Sequence, residues 1–283
     1  MYRVLIIGYY VVSLRCQKCK CYFSMILYFS GSGNSLAVAR QISNRTGEQV
    51  VPLREAAGKD LTGEKRIGLV FPTYWLDAPI AVRELVPQLH LSAEAYVYVV
   101  ITCGAQTNNA VWTVRRMLRK QGVKVAYCHK IRVPDSSALA FGRDPNQQAW
   151  KFERYRSRLE QIIQDVATEQ HGLHFSGFDP FGWLLSRPSV AAKTQQVTRP
   201  NVNAEQCVGC GTCAKICPQD NIVMVRNDAS PAAATAQIGD RCTACLACVH
   251  FCPHLAVEIN GKAVKKEFRY HHPDIKLVDM VLR

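Results

Sequence analysis

Two short runs of cysteine constrain this chain more than any other feature of its sequence. Residues 207–217 read C-x2-C-x2-C-x3-C, a Pro follows, and residues 242–252 repeat the pattern with every equivalent cysteine 35 positions later. Two-residue gaps let three thiolates converge on one cubane cluster, and the fourth cysteine, beyond the loop, ligates the other cluster. We therefore assign one 4Fe–4S cluster to Cys207, Cys210, Cys213 and Cys252, and a second to Cys242, Cys245, Cys248 and Cys217.

The clustering of the cysteines separates metal ligation from their other uses. The chain has 13 cysteines in 283 residues, whereas a secreted disulfide scaffold spreads them over fewer than about 100 residues. Clustering within a long chain favours ligation in a reducing compartment, so we expect a cytoplasmic protein. A zinc ribbon, which is the alternative, more often has two separate C-x2-C pairs without the third cysteine and the terminal Cys-Pro.

The first 24 residues differ from the rest of the chain. They hold four basic residues and no acidic one, and no small-residue cleavage site follows their apolar core. We expect an extension, with Met25 as the true initiator at the start of an apolar strand. Cys16, Cys19 and Cys21 could form a metal site there, but they lack a fourth local ligand. The longest apolar stretch has eleven residues and a membrane span needs about 18, so we expect no transmembrane helix.

Residues 25–170 alternate between strand and helix patterns. Short unbroken apolar runs, typical of strands buried on both faces of a parallel sheet, alternate with segments whose apolar residues recur at helical spacing. The predicted strands are residues 25–29, 49–53, 67–71, 95–101 and 123–131. An amphipathic helix over about residues 145–170 closes this unit. Right-handed crossovers then give an α/β fold, a doubly wound sheet of five parallel strands.

Three loops follow the three strongest strands and meet at the sheet edge where open parallel sheets bind ligands. Residues 30–35 combine two glycines with short polar side chains before a helix N-terminus, a pattern typical of phosphate binding. This loop has no Lys or Arg of a nucleotide loop, and Leu36 replaces the third glycine of the dinucleotide fingerprint. Tyr74 and Trp75 could stack on an aromatic ring, and residues 102–104 could bind its edge. Together the loops predict an FMN site, although each alone is also consistent with a tight turn or with packing.

The remaining segments have simpler predictions. Residues 171–200 are predicted to be a linker packed between domains, because a free tether would not need large apolar rings. These rings are Phe175, Phe178, Phe181 and Trp183. Residues 201–260 form the cluster domain, with a hairpin or surface loop between the cysteine runs. Residues 261–283 form a C-terminal tail in which we expect three exposed residues, Lys262, Lys265 and Lys266.

Each half of the chain resembles a known family. Phe29-Ser-Gly-Ser-Gly-Asn-Ser35 resembles the phosphate loop of flavodoxin-like proteins, and the cysteine repeat resembles bacterial two-cluster ferredoxins. Together they resemble the family of ferredoxins that bear an N-terminal flavodoxin-like domain. This resemblance implies strand order 2-1-3-4-5, a small α+β ferredoxin-like domain, and FMN with two 4Fe–4S clusters in one chain. It implies that the flavin phosphate is held by Ser30, Gly31, Ser32, Gly33, Asn34 and Ser35. It also implies that the isoalloxazine is flanked by Thr73, Tyr74, Trp75, Thr102, Cys103 and Gly104.

These cofactors predict an electron-transfer protein that passes electrons between FMN, the clusters and a redox partner. The alternatives are a flavin-dependent reductase of a small substrate, with Cys103 as a candidate reactive thiol, and a binding module without flavin. The net charge is +13, and residues 111–133 hold seven basic residues and no acidic one. This segment is a solvated face or attracts an acidic redox partner. It lacks a reader motif, so we do not expect nucleic-acid binding.

Overall fold

The structure is a computed structural model that describes residues 24–107, 109–137, 150–174, 180–185, 198–227 and 230–281. The predicted N-terminal extension, up to residue 23 and with its three cysteines, lies outside the described residues, as do Phe175 and Phe178. None of the helices within the described ranges is both long enough and apolar enough to cross a lipid bilayer.

The strands of the N-terminal half are short and mostly apolar. They are β1 (Ser24–Tyr28), β2 (Gln49–Pro52), β3 (Asp60–Leu61), β4 (Arg66–Pro72), β5 (His90–Leu91), β6 (Tyr96–Cys103), β7 (Val125–Arg132) and β8 (Gly172–His174). Six of them form one parallel sheet in the order β2-β1-β4-β6-β7-β8, and β3 pairs separately with β5. The five strands expected from the sequence run 2-1-3-4-5 across this sheet. Because all of them are parallel, their carboxyl ends share one edge.

The sheet has six strands rather than the predicted five. β8 pairs with β7, placing Leu173 opposite Cys128, and it lies beyond residue 170, where we expected this domain to end. Three residues with a single apolar side chain give no periodicity, so the sequence pattern did not separate β8 from the linker.

Five helices cover the two faces of the sheet. They are α1 (Asn34–Thr46), α2 (Leu53–Ala56), α3 (Ile80–Leu85), α4 (Ala110–Lys120) and α5 (Trp150–Ala167), with a single 3-10 turn at Val86–Gln88. Along β6, Val97 and Val99 pack in one core with α3 and α4, while Tyr98 and Val100 pack in the other with α1 and α5. Burial on both faces explains why the central strands read as unbroken apolar runs.

The C-terminal half is built mostly from short elements. They are α6 (Pro180–Leu185), β9 (Pro200–Val202), α7 (Thr212–Lys215), β10 (Ile222–Asn227), β11 (Ser230–Ile238), α8 (Ala247–His250), β12 (Val257–Ile259) and α9 (Leu277–Met280), with a 3-10 turn at Lys266–Phe268. β10 and β11 form an antiparallel hairpin between the cysteine runs, and β9 pairs antiparallel with β12. α7 and α8 begin at equivalent positions of the two runs, so the sequence repeat is also a structural repeat.

Two aromatic rings of the predicted linker are exposed, although residues 172–174 join the sheet and Thr198 is buried. On α6, Phe181 is 67% exposed and Trp183 is 42% exposed, so the prediction of packed rings is wrong for these two residues. Apolar composition alone does not decide burial, because much of a protein surface is apolar.

The predicted C-terminal tail is packed against the sheet domain. Tyr270, Ile275 and Met280 are buried, and Arg40 of α1 pairs with Asp279 at 2.9 Å. One apolar cluster unites the first turn of α1 with this segment and with residues of both cysteine runs. The segment is therefore part of the contact between the two halves. As expected, three lysines of this segment are exposed, namely Lys262, Lys265 and Lys266.

Candidate functional site

A cavity of about 720 Å³ lies at the carboxyl edge of the sheet. All three predicted loops line it, and eleven of the twelve predicted flavin-site residues are on its wall. Gly33 is the exception. The volume lies within the range of about 300–1,000 Å³ that is usual for small-molecule sites.

The first loop is arranged to hold an anion at the start of α1. Gly33 has φ +86°, a left-handed conformation that favours glycine, and it precedes the first helical residue. Ser32 Oγ lies 3.0 Å from Ser136 Oγ, and Ser35 Oγ lies 2.9 Å from Thr102 Oγ1. Ser32, Ser35 and Thr102 are buried beside the first amides and the positive dipole end of α1, an environment that stabilises a phosphate.

The C-terminal segment holds this first loop in place, which the sequence did not predict. Tyr270 Oη donates a hydrogen bond to Asn34 Oδ1 at 3.0 Å, and the His272 backbone N–H donates to the Ser32 carbonyl at 2.9 Å. The His272 ring packs edge-on against Phe152, and burial lowers the pKa of His272. A neutral imidazole is therefore favoured under the phosphate loop.

The second loop brings two aromatic rings to the cavity. Tyr74 and Asp77 exchange backbone hydrogen bonds of 2.9 and 3.0 Å, so Trp75 and Leu76 form the tip of a tight turn. Both tip residues have positive φ, 49° and 63°, in a turn that normally takes Asn-Gly. Each of these two conformations costs about 1–2 kcal/mol. Tyr74 packs edge-to-face on Phe29, with ring centroids 6.3 Å apart, while Trp75 is 43% exposed.

The third loop is the buried end of β6. Thr102 accepts a hydrogen bond from the Thr73 backbone N–H at 2.9 Å, which ties the second loop to the third. Burial raises the pKa of the Cys103 thiol to about 11, so it is protonated at neutral pH. A buried neutral thiol is not an activated nucleophile, and the reactive-thiol alternative has no support at this site.

Two stretches of the cavity wall were not predicted. Residues 133–137 follow β7 and bring Asp135 and Ser136 to the wall. A local signal existed there, because Pro-Asp-Ser-Ser after a strand is a typical turn composition. The other stretch, residues 244–246, comes from the second cysteine run, and Thr198 also lines the cavity. No local pattern predicts a contact between segments so far apart in the chain.

The eight cysteines gather in the two predicted sets. One cavity is lined by Cys207, Cys210, Cys213 and Cys252. Another is lined by Cys217, Cys242, Cys245 and Cys248. Burial, and then the neighbouring thiols of its own set, raise the pKa of Cys213 to about 11. Iron that binds thiolates would relieve this repulsion, so the donor sets fit the expected clusters. Among the described residues, no three His, Cys, Asp or Glu side chains converge as ligands of a single metal ion would.

The loop of the second cysteine run closes the large cavity. Tyr74 Oη donates to the Cys245 carbonyl at 3.4 Å, and Gly31, without a side chain, leaves room for that same carbonyl. Cys245 and Leu246 line both the large cavity and the cavity of the second cysteine set. A single loop therefore separates the two sites.

Comparisons with known proteins address the two halves separately. Residues 190–257 match the family model of the 4Fe-4S dicluster domain. No curated protein matches the chain.

Several solved structures resemble about half of the chain or less. The flavodoxin of Streptococcus pneumoniae TIGR4 is 17% identical, with a TM-score of 0.38, over 52% of this chain and 99% of that one. The Megasphaera elsdenii flavodoxin is 19% identical, with a TM-score of 0.33, over 38% of this chain and 85% of that one. The azoreductase from Bacillus anthracis is 9% identical, with a TM-score of 0.38, over 52% of this chain and all (100%) of that one. The fold is assigned from the strand order of the sheet.

Proposed function

We propose that this chain, which joins a flavodoxin-like sheet domain to a 4Fe-4S dicluster domain, is an electron-transfer protein that holds FMN and two 4Fe–4S clusters. One observation carries the proposal: Cys245 and Leu246 form a wall shared by two cavities. One cavity has the loops of a flavin site, and the other has the thiols of a cluster site. Groups on opposite sides of a single loop lie close together, as intramolecular electron transfer requires.

The residues of the large cavity fit a flavin mononucleotide. The hydroxyls of Ser32 and Ser35 and the first amides of α1 suit one phosphate, and the described wall includes no Lys or Arg that would neutralise a di- or triphosphate. Tyr74 and Trp75 offer ring faces for stacking. These features favour a ligand with one phosphate and a flat aromatic ring.

The two cysteine sets fit two cubane clusters. Each set takes three cysteines from one run and the fourth from the other run, as in bacterial two-cluster proteins. When bound, a flavin exchanges electrons singly or in pairs and each cluster carries one electron, so the chain would connect two-electron and one-electron carriers.

The chain's own residues would hold the cofactors in position and exclude water from them. Leu246 and Tyr74 cover the side of the large cavity that faces the second cysteine set. Arg269 donates hydrogen bonds of 2.7 Å to the carbonyls of Leu255 and Val257, which fixes the segment after the second run. Its guanidinium also places a positive charge near thiols of both sets, which stabilises added negative charge there.

An acidic redox partner fits the charge of the surface. The exposed basic residues at and after the end of α4 include Arg119, Lys120 and Lys124. They lie at the opposite end of α4 from the cavity edge, so we assign them to long-range attraction of a partner rather than to the site.

Intramolecular transfer is tested by anaerobic reduction of the full chain reconstituted with iron, sulfide and FMN. Limiting dithionite is mixed in, flavin absorbance is followed by stopped flow, and cluster signals are followed by freeze-quench electron paramagnetic resonance (EPR). We expect flavin and clusters to approach one shared equilibrium, while flavin-free protein gives the rate of the clusters alone. Reduction at independent rates, with no later exchange, would show that the chain does not connect the groups.

A further inference from the structure

The two cysteine loops differ at the positions where their backbones are left-handed. In the first run these positions are Gly209 and Gly211, with φ of 72° and 69°. At the equivalent positions of the second run, 35 residues later, stand Ala244 and Leu246, with φ of 51° and 59°. The same backbone is thus built with glycine in one loop and with side chains in the other.

The cluster fold itself does not explain this difference. A side chain in the left-handed region is strained, and the first run shows that glycine serves the same turn without that strain. Leu246 is 7% exposed, and both Ala244 and Leu246 lie on the wall of the large cavity. The first run contributes no residue to that wall. Of these two equivalent pairs of positions, the pair in the loop that faces the cavity is the one that carries strained side chains.

We infer that Ala244 and Leu246 are flavin-binding residues supplied by the cluster domain, and this inference rests on the proposed function. They complete the apolar wall of the flavin cavity and make the second cysteine set the neighbour of the flavin. The cavity of the first set shares no residue with the flavin cavity. Two residues that line it, Cys210 and Val208, are exposed, so the first set lies toward the solvent. The spatial order is flavin, second cluster, first cluster.

The first test replaces Leu246 by glycine, the residue at the equivalent position of the first run. Leu246→Gly in the reconstituted full chain is expected to raise the FMN Kd about tenfold, because it removes a buried apolar contact. Because Leu246 also lines the cavity of the second cysteine set, iron is counted in each variant and FMN Kd values are compared only between samples that hold the full iron content. Ala244→Gly, a smaller change, is expected to weaken FMN binding less.

The matched control is Val249→Ala, which trims a fully buried side chain in the same domain core but away from the cavity wall. It is expected to leave the FMN Kd within about twofold of the wild type. Unchanged FMN binding in Leu246→Gly, or an equal loss in Val249→Ala, would overturn the inference. Absence of FMN binding in the wild type would instead refute the proposed function.

A second test separates the two clusters. Cys242→Ala and its repeat equivalent Cys207→Ala each remove one ligand from one set, so the cysteine that is changed decides which cluster is affected, and iron analysis shows whether that cluster is lost. We expect loss of the second cluster to weaken FMN binding about tenfold or more, since its loop forms the cavity wall, and loss of the first to leave it nearly unchanged. Equal effects, or the reverse order, would show that the second cluster is not the neighbour of the flavin.

Discussion

A methyl group added at Gly31 tests the contact between the phosphate loop and the second cysteine loop. The backbone of Gly31 is not left-handed, so alanine adds no conformational strain there. Its Cβ would clash with the carbonyl oxygen of Cys245, and would lie 3.2 Å from the carbonyl carbon and 2.6 Å from Tyr74 Oη. Since the obstacle includes backbone, a rotamer change alone does not make room.

The magnitude follows from the distances. Carbon atoms pack best at about 3.5–4.0 Å from their neighbours, so the two loops must separate by on the order of 1 Å. Overpacking of this kind costs about 1–3 kcal/mol. If the separation opens the cavity wall, Gly31→Ala weakens FMN binding by about tenfold to a hundredfold.

The assay is an anaerobic fluorescence titration of the full chain with FMN. Gly63→Ala is the matched control, because a Cβ at Gly63 has no neighbour within 4 Å and Gly63 has no positive φ. We expect the control to bind FMN as the wild type does. If Gly31→Ala also binds within about twofold of the wild type, the two loops are not in contact around the flavin and the reasoning is wrong.

Three further changes test other parts of the account. Arg269→Met removes a positive charge near Cys248 and Cys252, so we expect a more negative cluster reduction potential in an EPR-monitored titration, with about 2–4 kcal/mol less stability. Burial lowers the pKa of His272 below its usual 6.5, so the folded state resists a proton that the unfolded state accepts. Stability should then fall as pH drops below about 6.5, and His272→Gln should flatten this slope in anaerobic urea unfolding. Tyr74→Phe loses only a 3.4 Å hydrogen bond, so its FMN Kd should rise less than about fivefold in the same titration, and a larger loss would mean that the hydroxyl binds the flavin.

The strands that carry the site were predictable because they are buried on both faces. Residues 66–72 and 96–103 have unbroken apolar runs for that reason, and each is followed directly by a loop of the cavity. The cysteine sets were predictable because the repeat spacing reports which thiolates converge.

The parts that were missed depend on contacts between distant segments. β8 has one apolar residue, and Leu173 joins the sheet only because β7 leaves an edge free. The segment around Tyr270 and His272 is polar in sequence, yet these two side chains are buried where the segment contacts the phosphate loop. Leu246 gives no local sign of its position, since its role depends on how the cysteine loop meets the sheet edge. Such placements follow from tertiary packing, which periodicity does not report.

Cofactor analysis of protein prepared without oxygen tests the central claim most directly. Iron, sulfide, zinc and flavin are counted per chain in the same sample, and the reduced protein is examined by EPR. The account predicts about eight iron atoms, about eight sulfides and about one FMN per chain, with cluster signals after reduction. Protein loaded with zinc, or protein with full iron that takes up no FMN, would contradict it.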